Sequence, residues 1–209
     1  MEVTMNNQQL REYCHKNQII VGLHSIASND YIAARCCFYN EMLDQAYILA
    51  SQAIEKELKC MLLLMDEDTD LNNIKSHSHD LEKLMDKIQS VKDMGLQAFN
   101  DINERLNETY LMFRYPDNFI KKMNGYKKYS HGGEEINEID KYFIHLLDTI
   151  PLPPEVKYRT GFLVTAFREE TYGIQPTVWA KHNNLSFNQN KKRWYNEYLL
   201  IKKHLYSSQ

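Results

Sequence analysis

The sequence predicts an all-α protein, an antiparallel bundle of helices, and three observations support this fold class. Seven glycines and five prolines in 209 residues are too few for a loop-rich β-sandwich and favour long helices. Apolar residues recur at steps of three and four along much of the chain, which is the spacing of one face of a helix. The segment 41–66 keeps this spacing without a glycine or proline, so we expect a helix of about seven turns there.

The apolar stripe of this long helix is the clearest pattern in the sequence. Its members are Ala46, Leu49, Ala50, Ala53, Ile54, Leu58, Met61, Leu62 and Met65. Similar but shorter patterns predict helices at 8–26, 31–39, 80–88, 92–113, 136–150 and 190–206. Between 158 and 167 the pattern does not separate strand from helix.

Polar and proline residues predict where these helices begin and end. Ser28-Asn29-Asp30 offers cap-type side chains and predicts a new helix start, with Asn40 as the following joint. Ser78 or Asp80 is expected to cap the helix that follows a polar loop at 66–76. Pro116 is expected to end the helix 92–113, because proline lacks an N–H and disfavours helical geometry in the residue before it.

The proline-rich stretch 151–154 predicts the main boundary of the chain. We expect a bundle over 1–150 and a basic, mainly helical C-terminal extension over 151–209. Residues 1–154 carry 16 Lys and Arg against 24 Asp and Glu, a net −8, whereas residues 155–209 carry 9 against 4, a net +5. The opposite signs predict that the extension packs on or beside the bundle, although an acidic partner or a nucleic acid would also suit a basic segment.

Composition excludes several classes of protein. The longest apolar run, 60–65, is much shorter than the roughly 20 residues of a membrane-spanning helix, and the N-terminus lacks the features of a signal peptide. We therefore expect a cytoplasmic protein. Four cysteines do not suggest a disulfide framework in a chain of this size and are interpreted as small buried residues.

Four short stretches, in their order and spacing, resemble the successive landmarks of HEPN domains over residues 29–150. The stretches are Tyr31 to Arg35, Ala46 to Lys59, His79 to Leu84, and Arg114 to Asp117. The resemblance implies a small antiparallel helical bundle. Proteins of this family are often encoded beside minimal nucleotidyltransferases, and several are RNA-cleaving toxins or antiviral nucleases that act as dimers.

The catalytic members of the family have an arginine followed after four to six residues by a histidine. No arginine here has a histidine in that window, and the spacing from Arg11 to His15 is one residue too short. The resemblance therefore implies the bundle but not the ribonuclease, and we expect no catalytic residues and no cofactor.

Candidate ligand-binding residues are Lys56, Lys59, His79, Arg114 and Tyr115, which a bundle could gather into a basic groove for a nucleotide or RNA phosphate. The competing interpretation places Glu55 and Lys59 in an ion pair on a solvated face and gives His79 a structural role at a helix entrance. His77 and His79 have a spacing found in some metal sites, but nothing nearby completes a set of ligands, so no metal is expected.

These observations favour a non-catalytic nucleotide- or RNA-binding or protein-interaction module. A homodimer and a nucleotidyltransferase-like protein are the expected partners. The alternative is a degenerate ribonuclease of a toxin or antiviral system, in which the fold brings Arg114 to His79 or His131. The basic and aromatic stretch 121–129 would suit single-stranded nucleic acid, and otherwise is a solvated loop. A purely structural protein that binds another protein is the third hypothesis.

Overall fold

The computed structural model describes residues 5–66, 79–115, 117 and 133–157, and individual positions between 193 and 204. Every regular element in these residues is helical, which confirms the all-α prediction. The helices are α1 (Asn7–Lys16), α2 (Gln18–Tyr39), α3 (Leu43–Met65), α4 (Leu81–Val91), a 3-10 helix (Leu96–Phe99), α5 (Asn100–Arg114), α6 (Gly133–Thr149) and the single turn α7 (Pro154–Lys157). No helix in this part of the chain is long and apolar enough to cross a membrane.

Helix α3 is the centre of the bundle and confirms the predicted long helix. It packs against α2, α4, α5 and α6. Seven residues of its predicted apolar stripe are fully buried, namely Ala46, Ala50, Ala53, Ile54, Leu58, Met61 and Leu62. The same core continues into Leu152, Val156 and Ile201, so described residues beyond the proline-rich stretch pack with the bundle.

Helices α2 and α3 form an antiparallel pair, because a turn of only three residues joins them. Glu41 in this turn has a φ of 60°, in the left-handed region. Asn40 lies at the predicted joint, where its backbone N–H reaches carbonyls of the last turn of α2. Helices α2 and α3 are in contact more extensively than any other pair of helices in the described chain.

The predicted helix start at residues 28–30 is wrong. Helix α2 runs through these positions, and Ser28 is buried. The break lies instead at Asn17, whose side-chain amide donates to the carbonyl of Tyr13 at 3.0 Å. Tertiary burial of the α2 face outweighs the tendency of Ser, Asn and Asp to begin a helix.

The predicted helix at 92–113 begins later than its apolar pattern indicates. Gly95 has a φ of 67°, and its N–H donates to Oδ1 of Asp93 at 2.9 Å. This local Asp-to-backbone bond competes with helix geometry, so a 3-10 turn precedes α5. By contrast, the predicted cap at Asp80 is confirmed, since its carboxylate accepts from the N–H of Lys83 at 3.1 Å.

A network of buried polar side chains links α2 to α6. Asp140 of α6 accepts from Arg35 and from the hydroxyl of Tyr31, and Arg35 also donates to the hydroxyl of Tyr39. Arg35, Tyr31 and Asp140 are at most 1% exposed. Burial and the Asp140 charge both raise the pKa of Tyr31 well above its usual value, so Tyr31 is a neutral donor. The ring of Tyr31 stacks on Phe143, with centroids 4.0 Å apart.

Some predictions fall outside the described residues: the loop after Asp66, the cap at Ser78, the helix end at Pro116, the stretch 121–129, the strand-or-helix question at 158–167, and His77 and His131. For the predicted helix at 190–206, the described positions between 193 and 204 are helical.

Candidate functional site

A buried carboxylate on α3 is the centre of the candidate site. Glu55 is only 6% exposed, and it accepts hydrogen bonds from two cationic or polar groups. Lys59, one turn further along α3, donates from Nζ to Oε1 at 2.6 Å. His79, which precedes α4, lies with Nδ1 2.9 Å from Oε2. Both carboxylate oxygens of Glu55 are thereby occupied by side chains that are themselves partly buried.

The protonation of Glu55 follows from these contacts. Burial raises the pKa of its carboxyl, but the hydrogen bonds and charges of Lys59 and His79 outweigh burial and lower that pKa below its ordinary value. Glu55 is therefore a carboxylate at neutral pH, and Nδ1 of His79 must carry the hydrogen it donates. In the neutral ring this leaves Nε2 of His79 as a hydrogen-bond acceptor.

His79 is held in an unusual backbone conformation. Its φ of 65° lies in the left-handed region, where few residues other than glycine occur, although histidine is among the more frequent exceptions. Asp80 next to it caps α4, so the left-handed residue immediately precedes a fixed helix entrance. Such strain is found preferentially at sites with a function. Here it accompanies the contact of the His79 ring with Glu55.

The second part of the site lies at the end of α5. The ring of Tyr110, which is buried, lies 4.9 Å from the ring of His79. The guanidinium of Arg114, one turn later, lies 5.2 Å from the same Tyr110 ring and 6.0 Å from the ring of Tyr115. Arg114 and Tyr115 are both exposed. Tyr110 is therefore the common neighbour of the histidine and the arginine.

We call the residues joined by these contacts the Glu55 cluster: Glu55, Lys59, His79, Tyr110, Arg114 and Tyr115. Four of the five predicted ligand-binding residues belong to it. The fifth, Lys56, does not, because its ammonium pairs with Asp30 of α2 at 2.6 Å. Lys56 and Lys59 are three residues apart on α3, but Lys56 pairs with a residue of α2, whereas Lys59 pairs with Glu55 of its own helix.

Two members of the cluster were not among the predicted site residues. Glu55 was expected only as a partner of Lys59 on a solvated face; the ion pair is present, but the carboxylate is buried. Tyr110 was expected as part of an apolar stripe. The available signal was the i, i+4 spacing, which places Glu55 beside Lys59 and Tyr110 beside Arg114 on their helix faces.

Among the described residues, no group of three or more His, Cys, Asp or Glu side chains is arranged so that it could hold a metal ion. The chemistry available to the Glu55 cluster is that of cations, a histidine ring and an exposed aromatic face. Such groups suit a phosphate or a base rather than a metal ion.

Comparison with protein families shows to which family the chain belongs. The profile of the HEPN domain family matches residues 22–143, more than half of the sequence. The chain belongs to the HEPN domain family. The HEPN match extends from α2 into α6 and includes the whole Glu55 cluster, whereas α7 lies beyond it. No curated protein and no solved structure matches the chain significantly.

Proposed function

We propose that this HEPN protein is a non-catalytic binding module and that the outer surface of the Glu55 cluster binds the phosphate of a nucleotide or of RNA. The observation that carries the proposal is the arrangement around the buried carboxylate, which binds Lys59 and His79, while the ring of Tyr110 lies between its contacts with His79 and with the exposed Arg114. Ordered donors of this kind lose little side-chain entropy when a phosphate binds them.

Arg114 is expected to contribute most of the attraction for phosphate. The charge of Lys59 is largely compensated by Glu55 at 2.6 Å, whereas the described neighbours of the Arg114 guanidinium are aromatic rings. A planar guanidinium that rests on rings keeps its N–H groups available for two phosphate oxygens. Tyr115, 43% exposed, offers a ring on which a base can stack.

The test is a titration of the full chain with ATP, GTP and a short single-stranded RNA. Replacing Arg114 with alanine is expected to weaken binding at least about tenfold, because a charge-assisted hydrogen bond contributes about 1.5–3 kcal/mol. Lys56→Ala is the matched control, since it removes a cation from α3 whose partner is Asp30. Calorimetry and fluorescence anisotropy at several salt concentrations would measure both variants.

Two outcomes would count against the proposal. The first is no binding of any of the three ligands to the wild-type protein. The second is an equal loss of affinity in Arg114→Ala and Lys56→Ala, which would indicate a general charge effect. Either result would leave a module that binds another protein as the better account of this surface.

A degenerate ribonuclease is the second candidate function, and one observation favours it. His79 and Arg114 both contact the ring of Tyr110, so the fold brings a histidine and an arginine to the same side chain although they are far apart in sequence. In such an enzyme the imidazole would move the proton of the RNA 2′-OH, and the guanidinium would stabilise the charged phosphate.

Incubation of the pure protein with RNA in the presence of a metal chelator tests this alternative. Cleavage that leaves 2′,3′-cyclic phosphate ends, and that His79→Ala abolishes, is the expected result for a ribonuclease. His145→Ala is the control, because this half-buried histidine bonds the carbonyl of Met94 instead. Intact RNA at high protein concentration would eliminate the enzyme and leave the binding module.

Partners and location are proposed from the family and from one surface feature. Ile19 and Ile26 of α2 are 45% and 48% exposed, and their spacing of seven places them on one side of the helix. We propose that the protein is cytoplasmic, forms a homodimer, and pairs with a nucleotidyltransferase-like protein. A neighbouring nucleotidyltransferase gene and co-purification of its product would support the last pairing.

A further inference from the structure

The single turn α7 is attached to the bundle by two buried polar contacts. The carboxylate of Glu155, fully buried, accepts from the backbone N–H of Met5 at 2.6 Å. The carbonyl of Lys157 lies 3.2 Å from Nε2 of His24. Leu152 and Val156 add apolar contacts with the main core. Helix α7 therefore contacts both the start of the chain and α2. The basic residues 158–209 follow α7 directly in the sequence.

His24 lies between two hydrogen-bond acceptors. A neutral histidine beside an ionised glutamate cannot donate to both of them. The ring is 1% exposed, with Nδ1 2.7 Å from Oε1 of Glu57 and Nε2 3.2 Å from the carbonyl of Lys157. Both ring nitrogens thus face oxygen atoms that accept hydrogen bonds. A neutral imidazole has one N–H, so both contacts become hydrogen bonds only if the His24–Glu57 pair holds an extra proton, as an imidazolium beside a carboxylate or as a neutral ring beside a carboxylic acid.

We infer that this proton holds α7 on the bundle, so that the buried His24–Glu57 pair acts as a pH-sensitive clasp for the C-terminal segment. When the proton leaves, the ring has one N–H for two buried acceptors. Either the Glu57 carboxylate or the Lys157 carbonyl then loses its donor inside the protein, which is unfavourable. Releasing α7 exposes the pair to water and relieves this loss.

The charged and titratable groups around His24 come from α3 and α7. From α3 the Glu57 carboxylate faces the ring, with the thiol of Cys60 close to Glu57; from α7 the Lys157 ammonium lies nearby. Burial raises the pKa of Cys60, so this thiol stays neutral. Burial also lowers the pKa of Lys157, which is influenced in turn by Asp148, Glu197, Glu57 and Arg193.

The direction of the pH effect follows from the same neighbours. Burial and the Lys157 charge lower the pKa of His24, but the charge and hydrogen bond of Glu57 and the Lys157 carbonyl raise it, and the net shift is upward from 6.5. The stabilisation is therefore complete below 6.5 and is lost as the pH rises through the pKa of the folded protein. Helix α7 is therefore held most firmly below pH 6.5 and loosens as the pH rises through the raised pKa of His24.

Two measurements on the full chain test the clasp. Nuclear magnetic resonance of labelled histidine should show that His24 remains protonated above pH 6.5. Hydrogen exchange should show that protection of the Val156 and Lys157 amides, which donate to the carbonyl of Pro153, falls several-fold as the pH rises through the folded-state pKa of His24, after correction for intrinsic exchange. The Ile150 amide, bonded to the carbonyl of Leu146, is the internal reference.

Variants separate the clasp from a general effect of pH. His24→Gln keeps an amide donor but cannot titrate, so the pH dependence of α7 exchange should disappear. His145→Gln changes a histidine whose Nε2 contacts only a carbonyl in the described chain, and should leave that dependence intact. A folded-state pKa of His24 at or below 6.5 would overturn the inference, and so would an equal response of α7 in wild type and His24→Gln. The wild-type titration decides if the variant does not fold.

Discussion

Replacing Asp140 with alanine is expected to lower the free energy of unfolding by about 3–5 kcal/mol, because it leaves a buried arginine without its carboxylate. Asp140 is fully buried in α6 and accepts from both Arg35 and Tyr31 of α2. The variant would bury a guanidinium charge next to a methyl group. Urea unfolding, followed by circular dichroism, would measure the loss.

Asp148→Ala is the matched control, since it lies on the same helix and also pairs with an arginine. The pair of Asp148 with Arg193, at 2.9 Å, has both side chains about 40% exposed, so its removal is expected to cost less than about 1 kcal/mol. Equal effects of the two alanines would show that burial of the Arg35–Asp140 pair is not the cause.

A double variant separates the effect of losing the whole ion pair from the effect of leaving one buried charge unpaired. Arg35→Met together with Asp140→Ala removes both charges, and it should be more stable than Asp140→Ala alone. If the double variant is the less stable, then the stem of Arg35 and its contact with the Tyr39 hydroxyl contribute more than the buried charge costs. In either case the network sets how α6 is placed against α2.

The helices of this protein were predictable because their patterns are local. The apolar stripe of α3 repeats over the whole helix, and seven of its nine members are fully buried. The Arg35–Asp140 pair was not predictable, because its members are separated by 105 positions. In the sequence, neither residue differs from an ordinary exposed charged residue. Only the packing of α6 on α2 makes them neighbours.

The two errors in helix boundaries have opposite causes. At Ser28 a local cap signal was overruled by burial against the rest of the bundle, so the helix continued. At Gly95 a local turn, closed by the Asp93 carboxylate, delayed the start of the helix that the apolar period alone predicted from residue 92. A sequence pattern does not show whether local hydrogen bonding or burial in the bundle has the larger effect at a given position.

In the candidate site, too, the sequence showed the chemistry of the residues, whereas the fold determines which of them lie together. Lys59, His79, Arg114 and Tyr115 were chosen for their chemical types, and the fold brings them around Glu55 and Tyr110. Lys56 has the same chemistry as Lys59, but its direction on α3 gives it Asp30 as a partner. The left-handed backbone of His79 had no sequence signal beyond its place before a cap.

Leu58→Ala is expected to destabilise the protein by about 3–5 kcal/mol, because it removes a fully buried side chain and leaves a cavity. Leu58 is 0% exposed at the centre of α3, which packs against four other helices, so little of the surrounding structure can move in to fill the space. Denaturant unfolding with an unchanged dependence on urea would show that stability, rather than the compactness of the unfolded state, has changed.

Leu111→Ala, on α5, is the control of the same chemistry. Leu111 is 41% exposed, so the change should stay within about 0.5 kcal/mol. Leu58 lies next to Lys59 in the chain but faces the core, so Leu58→Ala should leave the proposed phosphate binding of the folded fraction unchanged. A variant that stayed folded but lost binding would mean that the Glu55 cluster depends on core packing beneath it.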